Sequence, residues 1–445
     1  MVTYPQGNVF HRDLAHDYPL IERGEGIFLY DAEGRTYLDA SGGALVVNIG
    51  HGVTSVAEAI AAQAAQVAYV HGSLFTTVAL ERYSQRLAGL VPLPDPRFFF
   101  LSSGSEAVET AVKFCRQVQV ARGEAERSVV ITRWGSYHGA TLGTLALSGK
   151  PSMRKLYAPM FRDAPHIEPP YCYRCPFGAT YPACNLACAR QLETEILRQG
   201  SERVAAFIAE PVGGATLGGV VHPTGYWPLV REICNRHGVM LIADEVLTGF
   251  GRTGTWFAME HLDVEPDVIT MGKGATGGYL PFSITGVRER DVETVRQVQG
   301  NFNHGGTFSH HAVGAAAALA TLEYMEENDL ITQSAALGTY LGHKLREMRA
   351  ELPAVGDVRG IGMMWGVEFV AERAGRTPYP AALRFGRRLC ARCREMGVLF
   401  YPGYGSVDGL LGDHLMVAPP FIVTEGQIDA IVECLYQAIS IQSVG

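Results

Sequence analysis

Five short runs in the middle of the chain are apolar, β-branched or aromatic without alternation: RFFFL at 97–101, SVVIT at 128–132, VAAFIAE at 204–210, VMLIADE at 239–245 and DVITM at 267–271. Runs of this kind are what strands buried on both faces look like. Between them the apolar residues recur at helical spacing, as with Ala107, Val108, Ala111 and Val112. Strands separated by helices predict right-handed crossovers and a mostly parallel α/β sheet. The stretch Ala312 to Met325 is apolar nearly all round and predicts a buried helix.

The two chain ends read differently. GIFLYDAEGRTYLDAS places two alternating strands around a turn at Asp31–Gly34, a hairpin signal. Beyond about residue 325, a helical stretch over Ala335 to Glu351 is followed by a strand, GMMWGVEFV. The expected organisation is an N-terminal segment over 1–55, a large α/β domain over 56–322 and a C-terminal part over 323–445. The first and last together make a smaller α+β domain. The stretch YCYRCPFGATYPACNLAC, with Cys172, Cys175, Cys184 and Cys188, reads as an insertion at about 170–190 in the large domain.

Composition narrows the function. With 445 residues, 47% of them hydrophobic and 18% charged, the chain can bury sizeable cores, and a formal charge of −8 argues against nucleic acid and anionic membrane as partners. No apolar stretch reaches the roughly 18 residues of a membrane helix. A cytoplasmic location and mostly reduced cysteines are therefore expected. Two close cysteine pairs also have spacing compatible with structural zinc, while free thiols packed in a loop are the other reading.

In parallel sheets ligands bind beyond the carboxyl ends of the strands. After RFFFL, Ser103 and Glu106 form a capping box with Gly104 between them, so a helix N-terminus offers free amides to an anion such as phosphate. The same motif also reads as an ordinary helix cap. After VMLIA come Asp244 and Glu245, and after DVITM comes Lys273 between glycines, which reads as a Schiff-base lysine or as a surface lysine. Gly272, Gly274 and Gly277 with Asp291 fit a dinucleotide fingerprint, the basis of an NAD-dependent oxidoreductase alternative, but Gly278-Tyr-Leu-Pro281 cannot open the helix it requires. A cradle for phosphate, a strand-end acid and a lysine at the next strand end suit one cofactor: pyridoxal phosphate.

The segments FLSSGSEAVETAVKF, WGSYHGATLG, FIAEPVGG, LIADEVLTGFGRTG, DVITMGKGATGGYLP and HGGTFSHHAVGAAAALATLE follow one another in an order that strongly resembles the class III, or ω-, aminotransferases. The resemblance implies the fold-type-I architecture of pyridoxal-phosphate enzymes and a role for each matching residue. Lys273 would bond to the cofactor and shuttle a proton; Asp244 would keep the pyridine nitrogen protonated. Tyr137 would stack on the ring with His138 beside it, Val246 would pack on the other face, and Gly104 and Ser105 would bind the phosphate. Thr307 would reach the phosphate of a neighbouring subunit, making the active site a property of a homodimer, or of a dimer of dimers. Glu210 matches an acid near the phenolic edge, and a structural strand-end carboxylate is its other reading.

The implied reaction moves an amino group from an amine or ω-amino acid to a 2-oxo acid such as pyruvate, with (S)-selectivity. An aminomutase, racemase or decarboxylating aminotransferase of the same family is the alternative. The substrate pocket would include Leu45, Phe75 and Tyr401. Leu45 stands where amine-specific relatives carry tryptophan, and Tyr401 stands where many relatives carry a mobile arginine, which leaves open how a substrate carboxylate is held. SHHAVG replaces a glycine and proline pattern beside His310.

Overall fold

A computed structural model of the chain describes residues 7–162 and 164–442. Its centre is a seven-stranded sheet, ordered Pro96–Leu101, Ser283–Arg288, Val268–Met271, Met240–Asp244, Val204–Ala209, Val129–Arg133, His166–Ile167. All five apolar runs are strands in it. Ser283–Arg288 runs antiparallel to both its neighbours and the others point one way, so their carboxyl ends share one edge. Every residue of Val204–Ala209, Met240–Asp244 and Val268–Met271 is buried, because helices cover both faces of the sheet.

Two four-stranded sheets flank this core. In one, the hairpin Phe28–Asp31 and Thr36–Asp39 sits beside Ile21–Glu25 and pairs in parallel with Val398–Leu399 from the far end of the chain. The other contains Val355–Ile361, Met364–Phe369, His414–Val417 and Tyr401–Gly403. The expected divisions near residues 55 and 322 fall inside the helices Thr54–Gln66 and Ala312–Glu327. The largest hydrophobic cluster likewise joins Ile27, Phe250, Leu341 and Ile431, residues from all parts of the chain. Among the described residues no helix is long and apolar enough to cross a membrane.

One side chain holds three segments together. Arg252 is fully buried, and its guanidinium donates to the carbonyls of Met363 at 3.1 Å, Ala418 at 3.1 Å, Pro419 at 2.9 Å and Val47 at 3.2 Å. Its face also lies 4.7 Å from the Phe421 ring centroid. Burial pulls its pKa down to about 9, since among the described residues no carboxylate pairs with it. Replacing it by leucine strands four carbonyls in a dry environment. Arg252→Leu is expected to lower stability by about 3 kcal/mol or more, read as a lower urea midpoint; an unchanged midpoint would contradict this role.

Candidate active site

The carboxyl ends of the parallel strands deliver the predicted residues to one place. Asp244, the last residue of its strand, is buried, and its Oδ2 accepts from Nδ1 of His138 at 2.7 Å. Its Oδ1 accepts from the Thr270 hydroxyl at 3.0 Å and the Val246 amide at 3.2 Å. Three donors thus converge on one carboxylate and fix its orientation. His138 is positioned in turn by its own amide, which donates to Ser148 Oγ at 2.8 Å. With Nδ1 donating to Asp244, His138 Nε2 is a buried acceptor with no partner.

Lys273 follows the next strand, within electrostatic reach of this carboxylate. Its backbone is left-handed, with φ of 42°, a strained conformation for a residue with a side chain. Nζ donates to the carbonyl of Ala44 at 3.1 Å. The surrounding protein lowers its pKa to about 8, with Asp244 and Glu210 opposing the shift and Arg252 adding to it. Glu210 is buried at the adjacent strand end, where Oε1 accepts from the Gly214 amide at 3.2 Å. Burial pushes its carboxyl up to about 7, against the pull of His138 and Arg133.

The expected capping box is present: Ser103 accepts from the Glu106 amide while the Glu106 side chain accepts from the Ser103 amide at 2.8 Å, opening the helix Gly104–Ala121. A Cβ on Gly104 would come 2.8 Å from Val246 Cγ1, so only glycine lets the helix start approach that strand end. Ser105 Oγ accepts from the Ala140 amide at 3.0 Å, joining the helix start to the loop that carries Tyr137 and His138. Tyr137 is 39% exposed and lies near both Asp244 and Tyr401; burial of the rest of it raises its pKa. The structure therefore brings together Gly104, Ser105, Tyr137, His138, Glu210, Asp244, Val246 and Lys273.

Other predicted residues stand apart from this group. Thr307 lies exposed on the loop before the helix Ala312–Glu327. Phe75 is 63% exposed at the surface. Leu45 is buried among Val212, Ala258, Met364, Met416 and Ala418, with Tyr401 packed against that cluster. Beside Leu45, the group that meets Lys273 is the carbonyl of Ala44, which a side-chain pattern does not reveal.

The oxidoreductase alternative loses its geometric basis. Gly272, Gly274 and Gly277 surround a single 3₁₀ turn, Lys273–Ala275, and no α-helix opens there. Asp291 lies at the opposite edge of the sheet, bound to Arg122 at 2.5 Å.

The four cysteines of the insertion surround one small cavity, but among the described residues no group of three or more His, Cys, Asp or Glu is placed to hold a metal. What this segment contributes is a tie to the second flanking sheet. Tyr171 donates to the fully buried Glu368, Arg174 Nε binds Glu368 Oε1 at 2.5 Å, and Arg359 reaches Glu368 Oε2 at 2.9 Å. Burial would raise the Glu368 carboxyl, yet Arg359, Tyr171 and Arg174 outweigh it and hold it below the usual range. Arg174 also donates to the Arg376 carbonyl at 2.8 Å, and Arg376 donates back to that of Tyr173.

Comparison with known proteins agrees with this geometry. The family model of the class-III aminotransferases matches residues 11–439. The putrescine–pyruvate aminotransferase of Pseudomonas aeruginosa is 34% identical over 426 residues, covering 94% of this chain and 90% of that protein. The taurine–pyruvate aminotransferase of Rhodobacter capsulatus is 36% identical over 454 residues, covering 99% and 96%. Among solved structures, an (S)-enantioselective omega-transaminase from Thermomicrobium roseum superimposes with a TM-score of 0.89 at 37% identity, covering 96% of this chain and 93% of that one. The chain belongs to the class-III aminotransferases. Members of this family are pyridoxal-phosphate enzymes that pass an amino group from an amine donor to a keto acceptor.

The lowered pKa of Lys273 has a measurable consequence in the cofactor-free protein. Only the neutral amine attacks an aldehyde, so labelling of Lys273 by an added aromatic aldehyde is expected to rise with pH and reach half its maximum near pH 8. Mass spectrometry of the borohydride-trapped adduct checks this. A midpoint near the ordinary 10.5 would show that the site does not depress the lysine.

Proposed function

We propose that this protein is an ω-aminotransferase that takes the amino group of an amine or ω-amino acid and passes it to a 2-oxo acid such as pyruvate, with (S)-selectivity, as a homodimer with shared active sites. The observation that carries the reading is the placing of Lys273, depressed to about 8, and the buried Asp244, held by three donors, at adjacent strand ends within electrostatic reach of each other. The residues present fit pyridoxal phosphate: an amide-rich helix start made close by Gly104, an aromatic wall at Tyr137, an apolar one at Val246 and a buried carboxylate between them. The bound cofactor would supply an electron sink for the carbanion formed when the substrate loses its α proton.

Each residue then has a task that its position suits. Gly104 and Ser105 orient the phosphate at the helix N-terminus, where free amides and the helix dipole favour an anion. Asp244 keeps the ring nitrogen protonated, and His138 fixes the carboxylate through the 2.7 Å bond. Tyr137 and Val246 hold the ring plane between them. Lys273, neutral above about pH 8, would take up the substrate proton on Nζ and give it back from there. Glu210, with a carboxyl near 7, accepts or shares a proton at the phenolic edge. Thr307 serves the phosphate of a second copy in this reading, which its exposure on the loop supports.

The tests are direct. Purified protein loaded with pyridoxal phosphate is expected to carry a visible absorption band that fades on adding a donor amine. Lys273→Ala is expected to lose covalent attachment of the cofactor and to slow amino transfer by about 10²–10⁴-fold, whereas Asp244→Asn keeps the attachment but slows transfer. A protein that neither binds the cofactor nor converts any amine, ω-amino acid or α-amino acid would refute the proposal.

A further inference from the structure

Lys150 sits where the loop from the Tyr137 segment returns. Ser148 accepts from the His138 amide, and Gly149 is bonded on both sides to that segment, accepting from the Gly135 amide at 2.9 Å and donating to the Ser136 carbonyl at 3.0 Å. A Cβ on Gly149 would lie 2.1 Å from the Arg133 carbonyl oxygen, so glycine is required for this contact. The two strips are thus zipped together, and Lys150 follows directly on the residue bonded to the segment that leads into Tyr137.

The surroundings of its ammonium are unusual for a lysine. Nζ lies 4.1 Å from the centroid of the Tyr404 ring, three residues beyond Tyr401. Arg12 is close enough to perturb both Lys150 and Tyr137, and His414 lies within electrostatic reach. His414 is fully buried and depressed to about 4, hence neutral at neutral pH. Among the described residues no carboxylate pairs with Lys150 or with Arg12. Burial without an anion lowers the Lys150 pKa to about 8, and Arg12 adds to that shift. Two cations therefore lie within electrostatic reach of each other near Tyr137 and Tyr404, with no carboxylate paired to either among the described residues.

We propose that Lys150, with Arg12 beside it, binds the carboxylate of the 2-oxo acid acceptor and of acid-bearing donors. The inference rests on the aminotransferase reading above and names the substrate class of that site: small molecules that carry a carboxylate as well as the reacting amine or carbonyl. A charge-assisted hydrogen bond from the ammonium replaces the bidentate contact an arginine would make. Amines without an acid group need no such contact.

The experiment compares charged and uncharged partners of matched length in the loaded enzyme. For Lys150→Met, kcat/KM for γ-aminobutyrate and for pyruvate is expected to fall about 10- to 100-fold, while that for butylamine and for propanal changes by less than about threefold. Lys150→Arg is expected to restore most of the loss. Calorimetry with unreactive butanoate supplies a readout independent of turnover, and its affinity should weaken in parallel. Equal losses for charged and uncharged partners would make Lys150 a structural residue, and no loss would place the carboxylate elsewhere; either overturns the proposal. If the wild-type enzyme transfers no amino group yet Lys150→Met still weakens butanoate binding, the aminotransfer reading fails and the anion site stands.

Discussion

The buried guanidinium of Arg252 is the constraint on which the rest of the molecule depends. It comes from the loop after the strand that ends at Asp244, and its partners are the backbones of residues 47, 363, 418 and 419. A charge held only by carbonyls is stable as long as all of them stay in place. The large sheet, the N-terminal segment and the C-terminal sheet are thereby locked in one arrangement. The same charge reaches Lys273 and helps keep that amine neutral. Val47 and Ala44 lie on one short stretch, so the group that fixes the segments also fixes the carbonyl that receives Nζ.

Electrostatics divides the site into two ends. Asp244, Glu210 and His138 form one buried polar group, and Lys150 and Arg12 form a second, cationic group near Tyr404. Tyr137 lies within electrostatic reach of both Asp244 and Arg12. Under the proposal for Lys150, such a polarity would orient a molecule that carries an amine at one end and an anion at the other.

Much of this was legible in the sequence where the signal is local. The capping box at Ser103 and Glu106 is a backbone pattern four residues long, and the apolar runs at 204–210 and 239–245 are buried on both faces, so periodicity alone exposes them. The strand Ser283–Arg288, SITGVR, was not among the predicted runs, because serine, threonine and glycine dilute its apolar character although every residue is buried. Arg252 and Lys150 look like surface cations in a list of letters. Their significance comes from desolvation, which depends on segments two hundred residues away in one case and on a loop near residue 404 in the other. The left-handed backbone at Lys273 and the carbonyl of Ala44 were equally invisible, since neither belongs to a side-chain type.

The cysteine-bearing insertion began as a metal question and ends as one of charge neutrality. Glu368 belongs to the second flanking sheet, yet its compensation is divided between Arg359 of the same sheet and Arg174 and Tyr171 of the insertion. Remove the insertion alone and one partly shielded carboxylate remains inside the protein, with two of these three partners gone. A relative lacking this segment would need a different residue at 368, or a new cation reaching it from elsewhere. The two pieces, nearly two hundred residues apart, are expected to be gained, lost or replaced together.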